Sequence, residues 1–401
     1  MTWLQRDEAA IASVLPRVHE VVADRGEGTW LIDVDGKRWL DLTSGIGVTA
    51  TGHCHPDVVA AIEAQARTLL HTSVVTHNQP TVVLAERLRG LVPYIDDAQV
   101  FFCNSGAEAV DGALKLARRV TGRAGIVAFR RAFHGRTLGA TSLTTAKPVY
   151  QEGYAPLLAG VHTVEWGAVP TSADGIGCLI VEPVLGEGGY VVPDPSWLRD
   201  LRTWCTDNDV LLVFDEVQSG MGRTGQWFAA ETYGVTPDVL LFAKGIASGL
   251  PLAGIIASRS LMERWPTGAH GTTFGGNPVS CAAALATIDV VEPLLSRVRA
   301  LGEHALAVLR SVANPSVREI RGVGLMLAIE LDSHDAAAAV VQRCFDAGML
   351  VLTCGPESQV LRLIPPLTIS DAELDLALRI LTDALTVAHC GGRPPAPPAA
   401  A

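Results

Sequence analysis

The sequence has no surplus of basic residues: 31 lysines and arginines face 42 aspartates and glutamates, for a formal net charge of −11. That balance argues against nucleic acid or an anionic membrane as the main partner. It leaves local binding of small anions open. The eight cysteines include no Cys-x-x-Cys pair. In a chain of 401 residues their spread fits reduced thiols in a cytoplasmic protein, not a disulfide frame. No stretch reaches the ~18 uninterrupted apolar residues of a membrane span. The longest candidate, 239–257, is broken by Lys244 and Pro251. The first eight residues carry charges where a signal peptide needs an apolar run. No internal repeat is present. Residues 391–401 contain only Gly, Arg, Pro and Ala, which predicts a flexible tail.

What is present is a core-forming chain: 48% of residues are apolar and 18% charged. Its length suits a large domain plus a smaller one. Asp35-Gly36 between two apolar segments, 30–34 and 37–42, predicts a hairpin with a type I′ turn. Helices are expected at about 56–70, opened by Pro56, and at 80–91. From position 100, short apolar runs at 100–103, 125–129, 177–181, 210–214, 239–243 and 252–257 alternate with helical patterns. Such alternation implies an α/β fold, with a mostly parallel central sheet covered by helices on both faces. After about 295 the rhythm becomes that of a smaller α+β domain, closed by a helix that the capping box Ser370-Asp-Ala-Glu373 opens and that runs to about 389. The expected division is 1–50 as a segment joining the small domain, 51–293 as the large domain, 294–390 as the small domain and 391–401 as the tail.

Seven motifs could carry chemistry, and each alone has a plainer reading. Asn104-Ser105-Gly106-Ala107 joins a strand to a helix, with Ser105 and Glu108 at capping-box spacing. Free amides at such a helix start suit a phosphate, although capping boxes are common without one. Leu211-Leu-Val-Phe-Asp-Glu-Val-Gln218 ends a strand in Asp215 and Glu216, where ligands of open α/β sheets gather. Lys244 follows five apolar residues; a desolvated lysine is a candidate amine nucleophile, or else a stem with its head in water. In Ala132-Phe-His-Gly-Arg-Thr137, Phe133 beside His134 can stack on a planar ring and Arg136 can grip a carboxylate. The remaining three are Glu182 and Glu187 in a second strand end, the loop 270–278, and Arg362 inside an apolar strand, where it needs an anionic partner. Together they supply a phosphate cradle, an aromatic plate, an aspartate for a pyridinium nitrogen, a lysine for an aldehyde and arginines for carboxylates. That set describes pyridoxal phosphate chemistry.

In this order and spacing, Asp-Glu-Val-Gln-Ser-Gly-x-x-Arg-Thr-Gly (215–225), Phe-Ala-Lys (242–244) and Gly-Glu-Gly-Gly (186–189) resemble the class III, or ω-amino-acid, aminotransferases of the type I pyridoxal-phosphate fold. The similarity spans about 22–388 and is greatest to bacterial 4-aminobutyrate aminotransferases. It implies pyridoxal 5′-phosphate as cofactor, with Lys244 forming the Schiff base and Asp215 pairing with the ring nitrogen. Gln218 would reach the ring hydroxyl, Phe133 and Val217 would flank the ring beside His134, and Ser105, Gly106 and Ala107 would hold the phosphate. Thr273 would complete that cradle from a second subunit, making the protein a homodimer. Arg362 would take the α-carboxylate of 2-oxoglutarate, and Arg136 with Ile46 the distal carboxylate. Glu187 would neutralise Arg362 whenever the donor lacks an α-carboxylate. The implied activity moves an amino group from a 4-aminobutyrate-like donor to 2-oxoglutarate, giving an aldehyde and glutamate by way of pyridoxamine phosphate.

Leu185 departs from that pattern, and the loop 270–278 is closer to acetylornithine-type relatives. An acetylornithine or ornithine aminotransferase is therefore the first alternative, and an amino-acid racemase or epimerase of the same family the second. His53-Cys-His-Pro56 reads as the turn before a helix, not as a metal site. Cys354 reads as a packed residue.

Overall fold

The computed structural model describes residues 1–387. The last two residues of the expected final helix and the expected tail lie outside that range. The central sheet has seven strands: β1 (Ala98–Cys103), β2 (Gly125–Phe129), β3 (Val161–Val164), β4 (Ile176–Val181), β5 (Leu211–Asp215), β6 (Val239–Phe242) and β7 (Ala253–Ser258). Their order is β1-β7-β6-β5-β4-β2-β3. β7 runs antiparallel to both of its neighbours, and the other pairings are parallel. β2, β4 and β6 are buried along their whole length. Strands covered on both faces have no polar side to alternate with, which is why they read as continuous apolar runs. The carboxyl ends of β1, β2, β4, β5 and β6 therefore share one edge of the sheet.

Two features here depart from the sequence reading. The edge strand β3 carries exposed His162 and Thr163, so its pattern gives no apolar run. The N-terminal hairpin, Trp30–Asp33 with Arg38–Asp41, does not close through a type I′ turn. Gly36 has φ +83° while Asp35 is not left-handed, and a type I′ turn needs both. Asp33 O accepts from Gly36 N at 2.9 Å, and the Asp33 carboxylate accepts from the amides of Asp35 and Lys37. The result is a three-residue loop with a single left-handed glycine.

The remaining strands form two small sheets. Arg38–Asp41 pairs in parallel with Met349–Leu350, so the N-terminal hairpin joins a strand from far along the chain. The other sheet is antiparallel, in the order Val317–Val323, Met326–Leu331, Val360–Leu363, Leu352–Cys354. Its first strand carries Arg318, Glu319 and Arg321 and was not evident from apolar periodicity. Helices Leu295–Arg310, His334–Asp346 and Asp371–Val387 accompany it. The helix Pro278–Val291 continues through a short turn into Leu295–Arg310, a run apolar enough by composition to cross a membrane. Cys281, Ala283, Ala284, Ile288 and Val291 of that run lie in the core, against helices Pro56–Thr68 and Gln79–Leu91.

Candidate active site

A cavity of about 320 Å³ opens at the shared carboxyl edge of the sheet. Its walls include Ser105, Gly106, Ala107, Phe133, His134, Asp215, Val217, Gln218 and Lys244, nine residues that the sequence nominates from four separate motifs. Glu182, Asn104, Val48, Gly135, Ala243 and the turn Gly249–Leu252 complete the lining.

One wall is the start of helix Gly106–Thr121. Ser105 Oγ accepts from Glu108 N at 3.3 Å, and the Glu108 carboxylate accepts from the amides of Ser105 (3.2 Å) and Asn104 (2.6 Å). The capping box therefore consumes the Ser105 hydroxyl's acceptor role. The amides of Gly106 and Ala107, at the first two helical positions, have no intrahelical acceptor and lie at the positive end of the helix dipole. A Cβ on Gly106 would sit 2.9 Å from both methyl groups of Val217. Only glycine lets the helix start pack this closely against the strand end that carries Asp215.

Two adjacent carboxylates at the end of β5 have different tasks. Glu216 is fully buried and accepts from Ala229 N, Ala230 N and Ser219 Oγ at 2.7–2.9 Å, anchoring a short following helix. Burial pushes its pKa up to about 7, against those hydrogen bonds. Asp215 faces the cavity, where Oδ2 accepts from His134 Nδ1 at 2.7 Å and Oδ1 from Val217 N at 3.2 Å. Burial opposes a charge on His134, but the hydrogen bond and charge of Asp215 outweigh it, and the His134 pKa is raised. His134 N is fixed by Thr144 Oγ1 at 2.9 Å, so the imidazole orients the aspartate from a locked loop.

Glu182, which the sequence places in the second strand-end motif without a role, lines the cavity. Its two oxygens accept from Phe133 N and Gly186 N, both at 2.9 Å, tying the aromatic loop to the loop that carries Glu187. Burial pushes its pKa up to about 7. Glu182 stands in the second strand-end motif, but its acceptor role needs the fold to bring Phe133 beneath it.

Lys244 begins a short turn after β6 with φ +45°, a left-handed conformation that is strained for a non-glycine residue. Desolvation, then the nearby Arg362 charge, lower its pKa to about 8. An amine-selective reagent applied to cofactor-free protein should label Lys244 with a pH midpoint near 8, against about 10.4 for an ordinary lysine. Peptide mass spectrometry checks this, and a midpoint above 10 would contradict the desolvated setting.

The carboxylate-binding candidates lie around this cavity without lining it. Arg362 is 5% exposed, and its Nη1 donates to Glu187 Oε2 at 2.7 Å. Burial works against the Arg362 charge, yet Glu187 outweighs it and holds the pKa above the ordinary value. Arg136 is exposed, with its guanidinium carbon 4.5 Å from the centre of the Tyr150 ring and 5.6 Å from that of Phe133. Ile46 is exposed at 42% and sits in a run of left-handed residues, Ser44 to Gly47, with φ +47° to +75°. A β-branched residue pays a strain cost there. The Asp41 carboxylate braces the run by accepting from Thr43 N and Ser44 N. Thr273 is exposed and forms no part of this chain's cavity, whereas its neighbour Thr272 accepts from Asn104 Nδ2 at 3.0 Å.

His53 and His55 take structural partners. His53 Nε2 meets Asp41 Oδ2 at 2.8 Å, and His55 caps helix Pro56–Thr68. Cys354 is fully buried.

The family model for class-III aminotransferases matches residues 13–385. The chain belongs to that family. It is 41% identical over 370 residues to the acetylornithine aminotransferase of Methanothermobacter thermautotrophicus, covering 90% of this chain and 93% of the relative. It is 37% identical to the 5-aminovalerate aminotransferase of Pseudomonas aeruginosa, covering 95% and 97%. The ornithine aminotransferase of Toxoplasma gondii superposes with a TM-score of 0.90 at 30% identity, covering 96% of this chain and 94% of that one. A second structure of that enzyme has pyridoxal phosphate in its active site at partial occupancy. The protein is accordingly a pyridoxal-phosphate-dependent aminotransferase of the type I fold. The residues present fit that cofactor. His134 Nε2 and Gln218 Oε1 are buried beside the cavity without a partner among the described residues, and the free helix amides and the Asp215 carboxylate both border it.

Proposed function

We propose that the chain moves the terminal amino group of an acetylornithine- or ornithine-type donor to 2-oxoglutarate, giving an aldehyde and glutamate. The observation that carries the ω-amino part of this reading is the buried Arg362–Glu187 pair at 2.7 Å, and the choice of donor rests on the relatives. An ω-amino end brings no carboxylate to Arg362. A buried guanidinium without an anion is costly, so Glu187 serves as its counter-ion while the donor reacts. 2-Oxoglutarate supplies its own α-carboxylate, and Glu187 must then let go. A racemase would gain nothing from such an exchange. The sequence alone pointed to a 4-aminobutyrate-like donor. The acetylornithine-type relative at 41% identity favours the longer donors, and the 5-aminovalerate relative at 37% keeps a simple ω-amino acid as the second reading.

When bound, pyridoxal 5′-phosphate supplies an aldehyde that takes amino groups covalently and a ring that withdraws electrons. Lys244 would hold it covalently. Once a substrate amine has taken its place on the cofactor, the freed Nζ, desolvated in its pocket, could accept a proton and return it. Asp215, oriented by His134, would hold the ring nitrogen's positive charge. Gly106 and Ala107 would bind the phosphate through their amides, with Ser105 at the cap. Phe133 and Val217 would flank the ring, and Gln218 would meet its hydroxyl. Arg136 and Ile46 would receive the distal carboxylate. Thr273, exposed on this chain, would serve the cradle of a second copy in a homodimer.

A donor panel with 2-oxoglutarate tests the reading, with glutamate formation and donor stereochemistry followed separately. Acetylornithine or ornithine should exceed 4-aminobutyrate in kcat/KM by about tenfold. A racemised donor without glutamate would overturn the reading.

A further inference from the structure

Glu187 has a second set of partners that the exchange just described does not use. Its Oε2 meets Arg362, while its Oε1 accepts from the Tyr150 hydroxyl at 3.2 Å and lies 3.7 Å from Lys147 Nζ. Lys147 also donates to Ser358 Oγ at 2.8 Å, which fixes its ammonium beside the carboxylate. Lys147 and Tyr150 belong to one tight turn, with Lys147 capping the 3₁₀ segment Pro148–Tyr150. Lys147 O accepts from Tyr150 N at 3.2 Å, closing the turn that brings both side chains to the same carboxylate. The Lys147 and Glu187 side chains are only 21% and 15% exposed, so solvent screens the pair weakly.

Charge counting shows what this arrangement can do. Arg362 and Glu187 cancel. Lys147 leaves one positive charge over, which matches the charge an incoming α-carboxylate brings. Arg362 Nε is buried with no hydrogen-bond partner among the described residues, so the guanidinium has a donor that Glu187 does not occupy. Once Arg362 turns to the acceptor, Glu187 would be a buried anion without its cation, which is expensive. We infer that Lys147 and Tyr150 form the holding site for Glu187 during the acceptor half-reaction, and so act as positioning residues for 2-oxoglutarate. This rests on the function proposed above.

Tyr150 also ties the two carboxylate sites together. Its ring lies under Arg136 at 4.5 Å and meets Phe133 edge-on at 5.4 Å. Burial, then the Glu187 charge, push its phenol up to about 12, which keeps it a neutral donor toward Glu187.

The test uses the holoenzyme and its Lys147→Met, Lys147→Arg and Tyr150→Phe variants. KM is measured for 2-oxoglutarate and for the ω-amino donor. Binding of glutarate, a dicarboxylate with no keto group, is measured by calorimetry. Lys147→Met should raise KM for 2-oxoglutarate and Kd for glutarate about tenfold, against less than about twofold for the donor KM. Lys147→Arg should recover most of the loss. Tyr150→Phe, which removes a single oxygen, should move the same two quantities about threefold and keeps the test usable if Lys147→Met does not fold. Equal changes for donor and acceptor, or unchanged glutarate binding, would overturn the holding site while leaving the proposed function standing. A wild-type enzyme that forms no glutamate from any ω-amino donor would overturn both.

Discussion

Lys244→Ala is expected to lower transamination by about 10⁴-fold or more while the chain still folds and still takes up the cofactor. The large loss follows from two tasks resting on one atom. Lys244 Nζ is the lysine nitrogen lining the cavity, and its pKa of about 8 makes it able to carry a proton near neutrality. Alanine removes both the covalent hold and the proton carrier. Folding should survive because the substitution removes a desolvated cation from a left-handed turn and breaks no ion pair among the described residues. Single-turnover kinetics and a thermal melt together check this. A variant within tenfold of wild type would remove Lys244 from the chemistry.

Asp215→Asn should lower kcat by about 10³-fold, the second largest effect. Asparagine has nearly the same shape and can still accept from His134 Nδ1, so the loss reports charge and not packing. His134 supplies an independent readout. In the wild type its folded pKa is raised, so it contributes stability below its unfolded pKa. That contribution disappears as pH rises through the folded value. In Asp215→Asn the stabilising anion is gone, so this pH-dependent part of the stability should vanish. Nitrogen-15 shifts of the His134 ring should report a lowered pKa in the variant. An unchanged His134 titration would mean that the 2.7 Å contact is not charge-assisted in solution.

Much of this site was legible in the sequence because of where its residues stand. Asp215 ends an apolar strand, Ser105 and Lys244 each stand two residues beyond one, and carboxyl ends of parallel strands converge at one edge. Buried strands also announce themselves, as β2, β4 and β6 do. What escaped depends on contacts across the fold. Glu182 has no role in the sequence reading, because only the fold brings Phe133 N and Gly186 N to it. Lys147 and Tyr150 lie in an irregular segment, and nothing local links them to Glu187, 37 or more residues away. The left-handed run around Ile46 is set by the Asp41 carboxylate, and its backbone angles are not evident from Thr43-Ser-Gly-Ile-Gly47 alone. The strands β3 and Val317–Val323 were missed for a related reason. Exposed or charged residues interrupt their apolar pattern, and pairing with a neighbouring strand supplies the structure.

The donor is the point at which sequence likeness and relatives diverge. In the proposed reading the pair Arg362–Glu187 accounts for an ω-amino donor, but it does not measure the length of that donor. In the proposed reading that length would be set by Arg136, whose guanidinium rests on the Tyr150 ring at 4.5 Å.

The most direct test is reductive trapping of the wild-type protein with pyridoxal 5′-phosphate, followed by peptide mapping. The lysines of the chain are Lys37, Lys115, Lys147 and Lys244. Borohydride should fix one equivalent of cofactor on the peptide that contains Lys244, with the other three unmodified. Cofactor found on another lysine, or protein that stays unlabelled and colourless, would contradict the assignment of this cavity as the catalytic centre.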